Sequence, residues 1–133
     1  MIRILLAAAV LCTLGAAPAF AAPAAAQKDQ PLDCKNAVDQ VNLNVCAWGV
    51  FQHEDDRLNQ VYGAYRQTLA PDERASLTTA QKAWLTFRDA ECHFETLEHF
   101  DRLIHAMEYA DCLSELTQQR RKRLESLLKT ANP

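Results

Sequence analysis

Residues 80–92 read Ala-Gln-Lys-Ala-Trp-Leu-Thr-Phe-Arg-Asp-Ala-Glu-Cys, and this stretch decides how the rest of the chain can fold. Leu77, Trp84 and Phe87 recur at the spacing of one helix face, which predicts an amphipathic helix. Three polar residues fall on or beside that apolar face, namely Gln81, Arg88 and Glu91. Because buried polar groups need hydrogen-bonding partners, we expect matching polar residues on the segments that pack against this helix.

Two other segments offer such partners at matching heights. The upstream segment has the pattern Asp55-x-x-Leu58-Asn59-x-x-Tyr62, and the downstream segment has the pattern Cys112-x4-Thr117-x-x-Arg120-x3-Leu124. The middle pattern, Gln81-x-x-Trp84-x-x-Phe87-Arg88-Asp89-x-x-Cys92, is the most specific of the three. Together the three patterns resemble the LprI-like lysozyme inhibitor family of small secreted bacterial proteins.

The resemblance implies an exported helical protein that acts by binding and that inhibits lysozyme, the host muramidase that attacks the bacterial cell wall. One segment departs from the family, whose members usually carry a Gly-rich turn between the last two cysteines. In this chain residues 93–110 contain no Gly and continue an amphipathic helical pattern. We therefore expect them to extend the second helix, to form a separate short helix or to fold back as a hairpin.

The N-terminus has the features of an export signal. Arg3 is followed by an apolar run at residues 4–14 and by small residues that end at residues 19–21. Cys12 lies inside the apolar run and is removed with the signal rather than lipidated, so we expect no membrane anchor. The predicted parts are a cleaved signal peptide at 1–21, a disordered lead at 22–32 and a helical domain at 33–130. The mature protein is then periplasmic or extracellular.

Four cysteines remain once the signal is removed, at Cys34, Cys46, Cys92 and Cys112, and an even number in a small exported chain predicts two disulfides. The spacing includes no Cys-x-x-Cys pair, which argues against a zinc site with four thiolates. The expected helix directions place all four cysteines at one end of the bundle, so geometry leaves all three connectivities open. We favour Cys34–Cys46 with Cys92–Cys112, because each of these bonds closes a local loop.

Apolar periodicity along the mature chain predicts an all-α fold, a small bundle of three antiparallel helices. We expect the first helix at about residues 45–69, with Asn42 or Asn44 as its N-cap, and the last helix at about residues 111–129. Pro71, which is followed by two acidic residues, marks the start of the second helix.

The helix faces that meet in this bundle carry both aromatic and polar residues. The aromatic residues assigned to the core are Trp48, Tyr62, Trp84 and Phe87. The polar residues of the family motifs, which we assign to structural roles, are Asp55, Asn59, Gln81, Arg88, Asp89 and Arg120. Because buried charges must be paired, we expect Asp55 to form an ion pair with Arg88 or Arg120. The hydrogen bonds are then completed by Asn59, Gln81 and Glu91.

Composition and motifs argue against several kinds of function. A formal net charge of −3 does not favour nucleic acid as a partner. The chain has no Gly-x-Ser-x-Gly or His-Glu-x-x-His motif, and the adjacent carboxylates at 54–56 point around a helix, so we predict no catalytic residues and no enzyme. His93, His99 and His105 recur every six residues and spread over different helix faces, so we predict no metal site and no cofactor.

Charge is distributed unevenly along the chain. Residues 89–115 contain eight Asp or Glu against a single Arg, whereas residues 120–123 are all basic, and each run is typical of a solvated helix face. Animal lysozymes of the common type are cationic, so the acidic segment would steer their association. A second hypothesis is a non-catalytic envelope module with no effect on lysozyme. A third is a metal or small-ligand carrier that uses residues 93–110.

Overall fold

The structure is a computed structural model that describes residues 33–131. Its helices are α1 (Gln40–Thr68), α2 (Pro71–Glu95) and α3 (His105–Ala131), with a 3₁₀ turn at Leu97–His99 between α2 and α3. The predicted all-α fold of three helices is confirmed. The predicted signal peptide at 1–21 and the lead at 22–32 lie outside the described residues. None of the helices in the described part is both long enough and apolar enough to cross a membrane.

Helices α1 and α3 run side by side in the same direction and form the closest contact in the bundle. Near their N-termini, Gln40 Nε2 lies 3.6 Å from the sulfur of Met107. Farther along, Arg121 Nε donates a hydrogen bond of 2.9 Å to Glu54 Oε2. In each pair the two residues are separated by 67 positions in the sequence, so the two helices keep one register over about four turns.

Helix α2 runs in the opposite direction to its neighbours. The connection from α1 to α2 consists of residues 69–70, and so short a connection makes consecutive helices antiparallel. The oxygens of Tyr62 and Thr78 are 3.0 Å apart, and Arg88 Nη1 lies 3.0 Å from Asp55 Oδ1. Residue numbers therefore rise along α2 as they fall along α1, as the sequence predicted.

Helix α1 begins earlier than the sequence predicted. Its N-cap is Asp39, whose Oδ1 accepts a hydrogen bond of 3.0 Å from the backbone N–H of Asn42. The predictions of Asn42 or Asn44 as the N-cap, and of a helix start near residue 45, are therefore wrong. The reason is that the first turn of α1 does not face the core, since Val41 and Val45 are more than half exposed. Apolar periodicity cannot reveal a turn whose apolar side chains lie in solvent.

The segment between α2 and α3 is mostly a compact connection. Thr96 ends α2 by donating from both its backbone N–H and its hydroxyl to the carbonyl oxygen of Cys92, at 3.2 and 2.8 Å. The short helix expected within residues 93–110 is the 3₁₀ turn. Helix α3 then starts at His105, six residues before the expected position 111.

Two disulfides join the predicted cysteines in the favoured pairing, Cys34–Cys46 and Cys92–Cys112, which is confirmed. The Cα atoms are 5.6 Å apart in each bond. Cys46 is near the start of α1, Cys92 near the end of α2 and Cys112 near the start of α3, so both bonds lie at one end of the bundle. We call this the disulfide end and the opposite end the open end.

The core is small and only partly aromatic. The best covered apolar side chains are Leu58, Leu124, Leu113, Cys92, Ala47 and Ala110, with Thr117 among them. Trp48 is 43% exposed and Phe87 is 50% exposed, so their assignment to the core is wrong, whereas Tyr62 and Trp84 are half-buried. The buried residues of α1 are Ala47, Glu54 and Leu58, so its inward seam passes one residue before the predicted Trp48 and Asp55.

Candidate functional site

Arg88 lies between the helices and contacts all three of them. Its Nη1 donates to Asp55 Oδ1 on α1 at 3.0 Å and to Thr117 Oγ1 on α3 at 3.2 Å. Its Nε donates to Asp89 Oδ1 on α2 at 2.9 Å, and the guanidinium lies over two aromatic rings, 5.2 and 5.4 Å from their centroids. The two rings belong to Phe51 and Trp84. The Arg88 side chain is only 9% exposed, so its guanidinium interacts with charged and aromatic side chains instead of water.

The predicted ion pair of Asp55 is thus made with Arg88, and Arg120 takes another partner. Asn59 Nδ2 donates to the second oxygen of Asp55 at 3.1 Å. Arg120 Nε donates to Gln81 Oε1 at 2.9 Å, and its guanidinium lies 5.8 Å from the centre of the Trp84 ring. Glu91 was expected to complete the network, but within residues 33–131 its carboxylate accepts no hydrogen bond.

A second ion pair is more deeply buried, and sequence reasoning missed it. Arg121 Nε donates to Glu54 Oε2 at 2.9 Å, and Arg121 Nη1 donates to Glu125 Oε1 at 2.7 Å. The side chains of Arg121 and Glu54 are 6% and 10% exposed. Burial opposes the ionisation of Glu54, but the hydrogen bond and charge of Arg121 outweigh it, so the pKa of Glu54 lies below its ordinary value.

Arg121 corrects the prediction that residues 120–123 form a solvated basic face. Burial disfavours its charged form, but the hydrogen bonds to Glu125 and Glu54 prevail and raise the pKa of Arg121. A signal in the sequence was available, because Arg121 follows Thr117 by four residues and precedes Leu124 by three, which places it on the same helix face. A buried arginine at such a position requires an acidic partner on the neighbouring helix.

The two ends of the bundle carry opposite charge. We divide the described chain at the level of Arg88 into a disulfide half, residues 33–55 and 88–117, and an open half, residues 56–87 and 118–131. The disulfide half has twelve Asp or Glu against three Lys or Arg, a formal charge of −9. The open half has four Asp or Glu against nine Lys or Arg, a formal charge of +5. A charged partner is therefore attracted to one end of the molecule and repelled by the other.

Exposed apolar side chains gather in the same acidic half. Ten large apolar side chains of the described residues are exposed, and nine of them belong to the disulfide half, while Phe87 adjoins its boundary. The most prominent lie around the end of α2 and the connection to α3, namely Phe94, Leu97, Phe100 and Leu103, each at least half exposed. Exposed apolar groups with a polar surrounding are typical of surfaces that bind other proteins.

His99 and His105 make polar contacts within and beside the connection between α2 and α3. His99 Nδ1 lies 2.5 Å from Glu108 Oε2, and His105 Nε2 lies 3.2 Å from Thr96 Oγ1. His105 also stacks on the ring of Tyr109 with centroids 5.9 Å apart. Among residues 33–131, no three His, Cys, Asp or Glu side chains come together as a metal site would require.

Comparison with known proteins agrees with these features. The family model described as Lysozyme inhibitor LprI matches residues 33–124. The chain belongs to the lysozyme inhibitor LprI family. An uncharacterized protein of Rhizobium meliloti (strain 1021) is 31% identical over 123 residues, which cover 83% of this chain and 88% of that protein. No solved structure matches the chain.

The LprI family is described by inhibition, not by a reaction, and the geometry offers the means for binding. The match includes both disulfides, the Arg88 contacts and the exposed apolar side chains of the disulfide half. Arg88 and Arg121 each form ion pairs with two carboxylates of the bundle, of which Glu54 is the most buried. Their hydrogen bonds connect Arg88 to α1 and α3, and Arg121 to α1.

Proposed function

We propose that the protein is exported and inhibits lysozyme by binding it with the disulfide half. The choice of surface rests on one observation: a formal charge of −9 coincides with nine of the ten large apolar side chains that are exposed within residues 33–131. Family membership supports lysozyme as the partner. The proposal includes cleavage of residues 1–21 as a signal peptide and residues 22–32 as a lead into the domain at 33–130, and the disulfides suit an oxidising compartment.

Electrostatic attraction supports the first stage of binding. Lysozymes of the common animal type are cationic, and a surface of opposite charge raises the rate of encounter and orients the partner. Because the open half is basic, it would repel the same partner, so the charge distribution favours approach at one end. Salt screens such attraction over about 8 Å at physiological ionic strength, so the association rate should fall as salt is added.

Apolar contacts support the second stage, the formation of a stable complex. A few buried aromatic and aliphatic side chains usually supply most of the binding energy of an interface. Phe94 is 70% exposed, and Phe100 and Leu103 are 62% and 61% exposed, so they are available for this role. Lysozyme cleaves polysaccharide with two carboxylates in an open cleft, and a protein bound over that cleft excludes the substrate without any chemistry of its own.

The test is a lysis assay with the oxidised mature protein. Lysozyme and its cell-wall substrate are mixed with increasing inhibitor, and complex formation is followed in parallel. We expect lysis to decrease with one inhibitor bound per lysozyme. Undiminished lysis at a large molar excess together with no detectable complex would contradict the proposal. That outcome would favour the second hypothesis, a non-catalytic module of the envelope with no effect on lysozyme, and a complex that leaves lysis unchanged would contradict inhibition as well.

A matched pair of charge reversals tests the choice of surface. Glu95→Lys changes the disulfide half and Asp56→Lys changes the open half, and both residues are exposed on helices. We expect Glu95→Lys to lower the association rate about three- to tenfold at low salt, and Asp56→Lys to leave it within about twofold. Phe94→Ser should weaken the complex by about tenfold or more while the helical content stays the same. Equal effects of Glu95→Lys and Asp56→Lys would place the contact elsewhere.

A further inference from the structure

Three arginines donate hydrogen bonds to side chains of a neighbouring helix, and one of them has no acidic partner in the described part of the chain. Arg88 has two carboxylates within 3.0 Å and Arg121 has two within 2.9 Å. No carboxylate of residues 33–131 lies within 4.0 Å of Arg120. Its Nε is held by Gln81, and Trp84 lies beside its guanidinium, so the group is oriented but not neutralised.

Arg120 lines a cleft at the open end of the bundle. The cleft has a volume of about 620 Å³ and lies between the end of α1, the start of α2 and the end of α3. Its apolar lining includes four leucines, Leu69, Leu77, Leu124 and Leu127. Arg120 and Arg123 both line it from α3. The volume falls within the range of roughly 300–1,000 Å³ that is typical of small-molecule sites.

An anion bound in the cleft would interact favourably with the charges of Arg120 and Arg123. Partial burial, and then the nearby charge of Arg123, lower the pKa of Arg120. A bound anion would offset both effects and would accept hydrogen bonds from the guanidinium groups. On the α2 side the same cleft is lined by Asp72 and Glu73, which disfavour a ligand with several negative charges.

We propose that this cleft binds an aliphatic carboxylate, a fatty acid, with its head group at Arg120 and Arg123 and its chain along the leucines. One charge satisfies the two arginines without strong repulsion from the acidic side of the cleft, which favours a carboxylate over a phosphate. The apolar lining calls for a hydrocarbon chain rather than a polar body. The cleft is at the opposite end from the surface proposed for lysozyme, so the two sites are separate.

The probe is dodecanoate, kept below the concentration at which it forms micelles. The chain has two tryptophans, so Trp48→Phe leaves Trp84, beside Arg120, as the single tryptophan, which is excited selectively over the tyrosines. We expect a saturable change in Trp84 fluorescence with one ligand per protein, and a matching calorimetric titration. Dodecanol has the same chain without the charge, and we expect it to bind at least tenfold more weakly. Dodecyl phosphate should also bind more weakly than dodecanoate.

Two neighbouring substitutions give a matched comparison. Arg123→Gln removes a charge that lines the cleft, and Lys122→Gln removes a charge that hydrogen-bonds Gln118 and does not line it. We expect about a tenfold loss of dodecanoate affinity for Arg123→Gln and no change for Lys122→Gln, with circular dichroism showing that both are folded. Absence of saturable binding, equal affinity for dodecanol, tighter binding of dodecyl phosphate or equal effects of the two substitutions would each overturn the proposal. Since the assay contains no lysozyme, its result is independent of the function proposed above.

Discussion

Different interactions stabilise the disulfide half and the open half. Two covalent bonds close the disulfide half, and it exposes nine large apolar side chains under a formal charge of −9. The open half has no disulfide, and its leucines line a cleft where the three helices pack. Exposed apolar side chains add little to the stability of a small domain. The comparison shows that disulfides can compensate, so that the domain keeps a surface suited to binding.

The buried ion pair lies where the two halves meet, and breaking it should have the largest effect. Arg121→Met leaves the buried carboxylate of Glu54 with Arg57, whose side chain is 44% exposed, as its remaining arginine partner. We expect a loss of about 3–5 kcal/mol in the free energy of unfolding, measured by urea denaturation. The neighbouring exposed residue gives the control, since Lys122→Met should change stability by no more than about 0.5 kcal/mol.

A second substitution sharpens this result. If the loss arises from an unpaired buried charge, adding Glu54→Leu to Arg121→Met should recover most of it, because an apolar pair can replace a buried ion pair. Equal losses from Arg121→Met and Lys122→Met would show that the ion pair adds no stability, and no recovery in the double variant would show that the loss does not come from an unpaired buried charge.

Removing a disulfide should have the next largest effect and should act on one half only. Replacing Cys92 and Cys112 by Ala should cost about 3 kcal/mol, and replacing Cys34 and Cys46 by Ala about 2 kcal/mol, because the segment before α1 is almost entirely exposed. In the variant without Cys92 and Cys112, backbone amides at residues 97–112 should lose protection against hydrogen exchange, whereas those at residues 58–82 should retain it. Uniform loss along the whole chain would contradict the view that the disulfides support one half.

The sequence allowed the architecture to be predicted because three long periodic segments and four cysteines leave few alternatives. It did not allow the inward seam of α1 to be placed to the residue, since an apolar face spans more than 100° and successive residues differ by 100°. The core position was therefore assigned to Trp48 where Ala47 is buried. Asp55 pairs with Arg88 as predicted, but the buried carboxylate of Glu54, the partner of Arg121, was missed.

The candidate site was harder to predict for a related reason. Arg120 and Arg121 are adjacent, and both are turned inward because α3 packs against two helices, with Arg120 reaching Gln81 on α2 and Arg121 reaching Glu54 on α1. The spacing of Arg121 from Thr117 and Leu124 places it on the buried face, but the basic run does not indicate which helix each arginine reaches. The acidic half, by contrast, was visible in residues 89–115, although its exposed phenylalanines and leucines were not.

Acidification should weaken the contact between the halves in a defined direction. The pKa of Glu54 is lowered in the folded protein, so its carboxylate stabilises the fold above its ordinary pKa of 4.5, and this contribution is lost as the pH falls through the folded pKa. Glu54→Gln should therefore cost about 1.5–3 kcal/mol at pH 7 and progressively less below pH 4.5. Urea denaturation of both proteins at several pH values measures this difference, and a constant difference would contradict the assignment.

The smallest expected effect concerns the acidic half itself. Asp111 is exposed, but partial desolvation, and then the charge of Glu108, raise the pKa of Asp111, so its ionised form slightly destabilises the fold at neutral pH, an effect that solvent screens. Asp111→Asn should raise the free energy of unfolding at pH 7 by less than about 1 kcal/mol, and the gain should vanish below the ordinary pKa of 3.8, where the parent side chain is also neutral. Asp101→Asn removes the same charge from the exposed connection and should change stability less. If the two variants gain equally, the cause is the net charge of the disulfide half rather than the surroundings of Asp111, and the acidic surface then lowers stability as a whole in return for its attraction to a cationic partner.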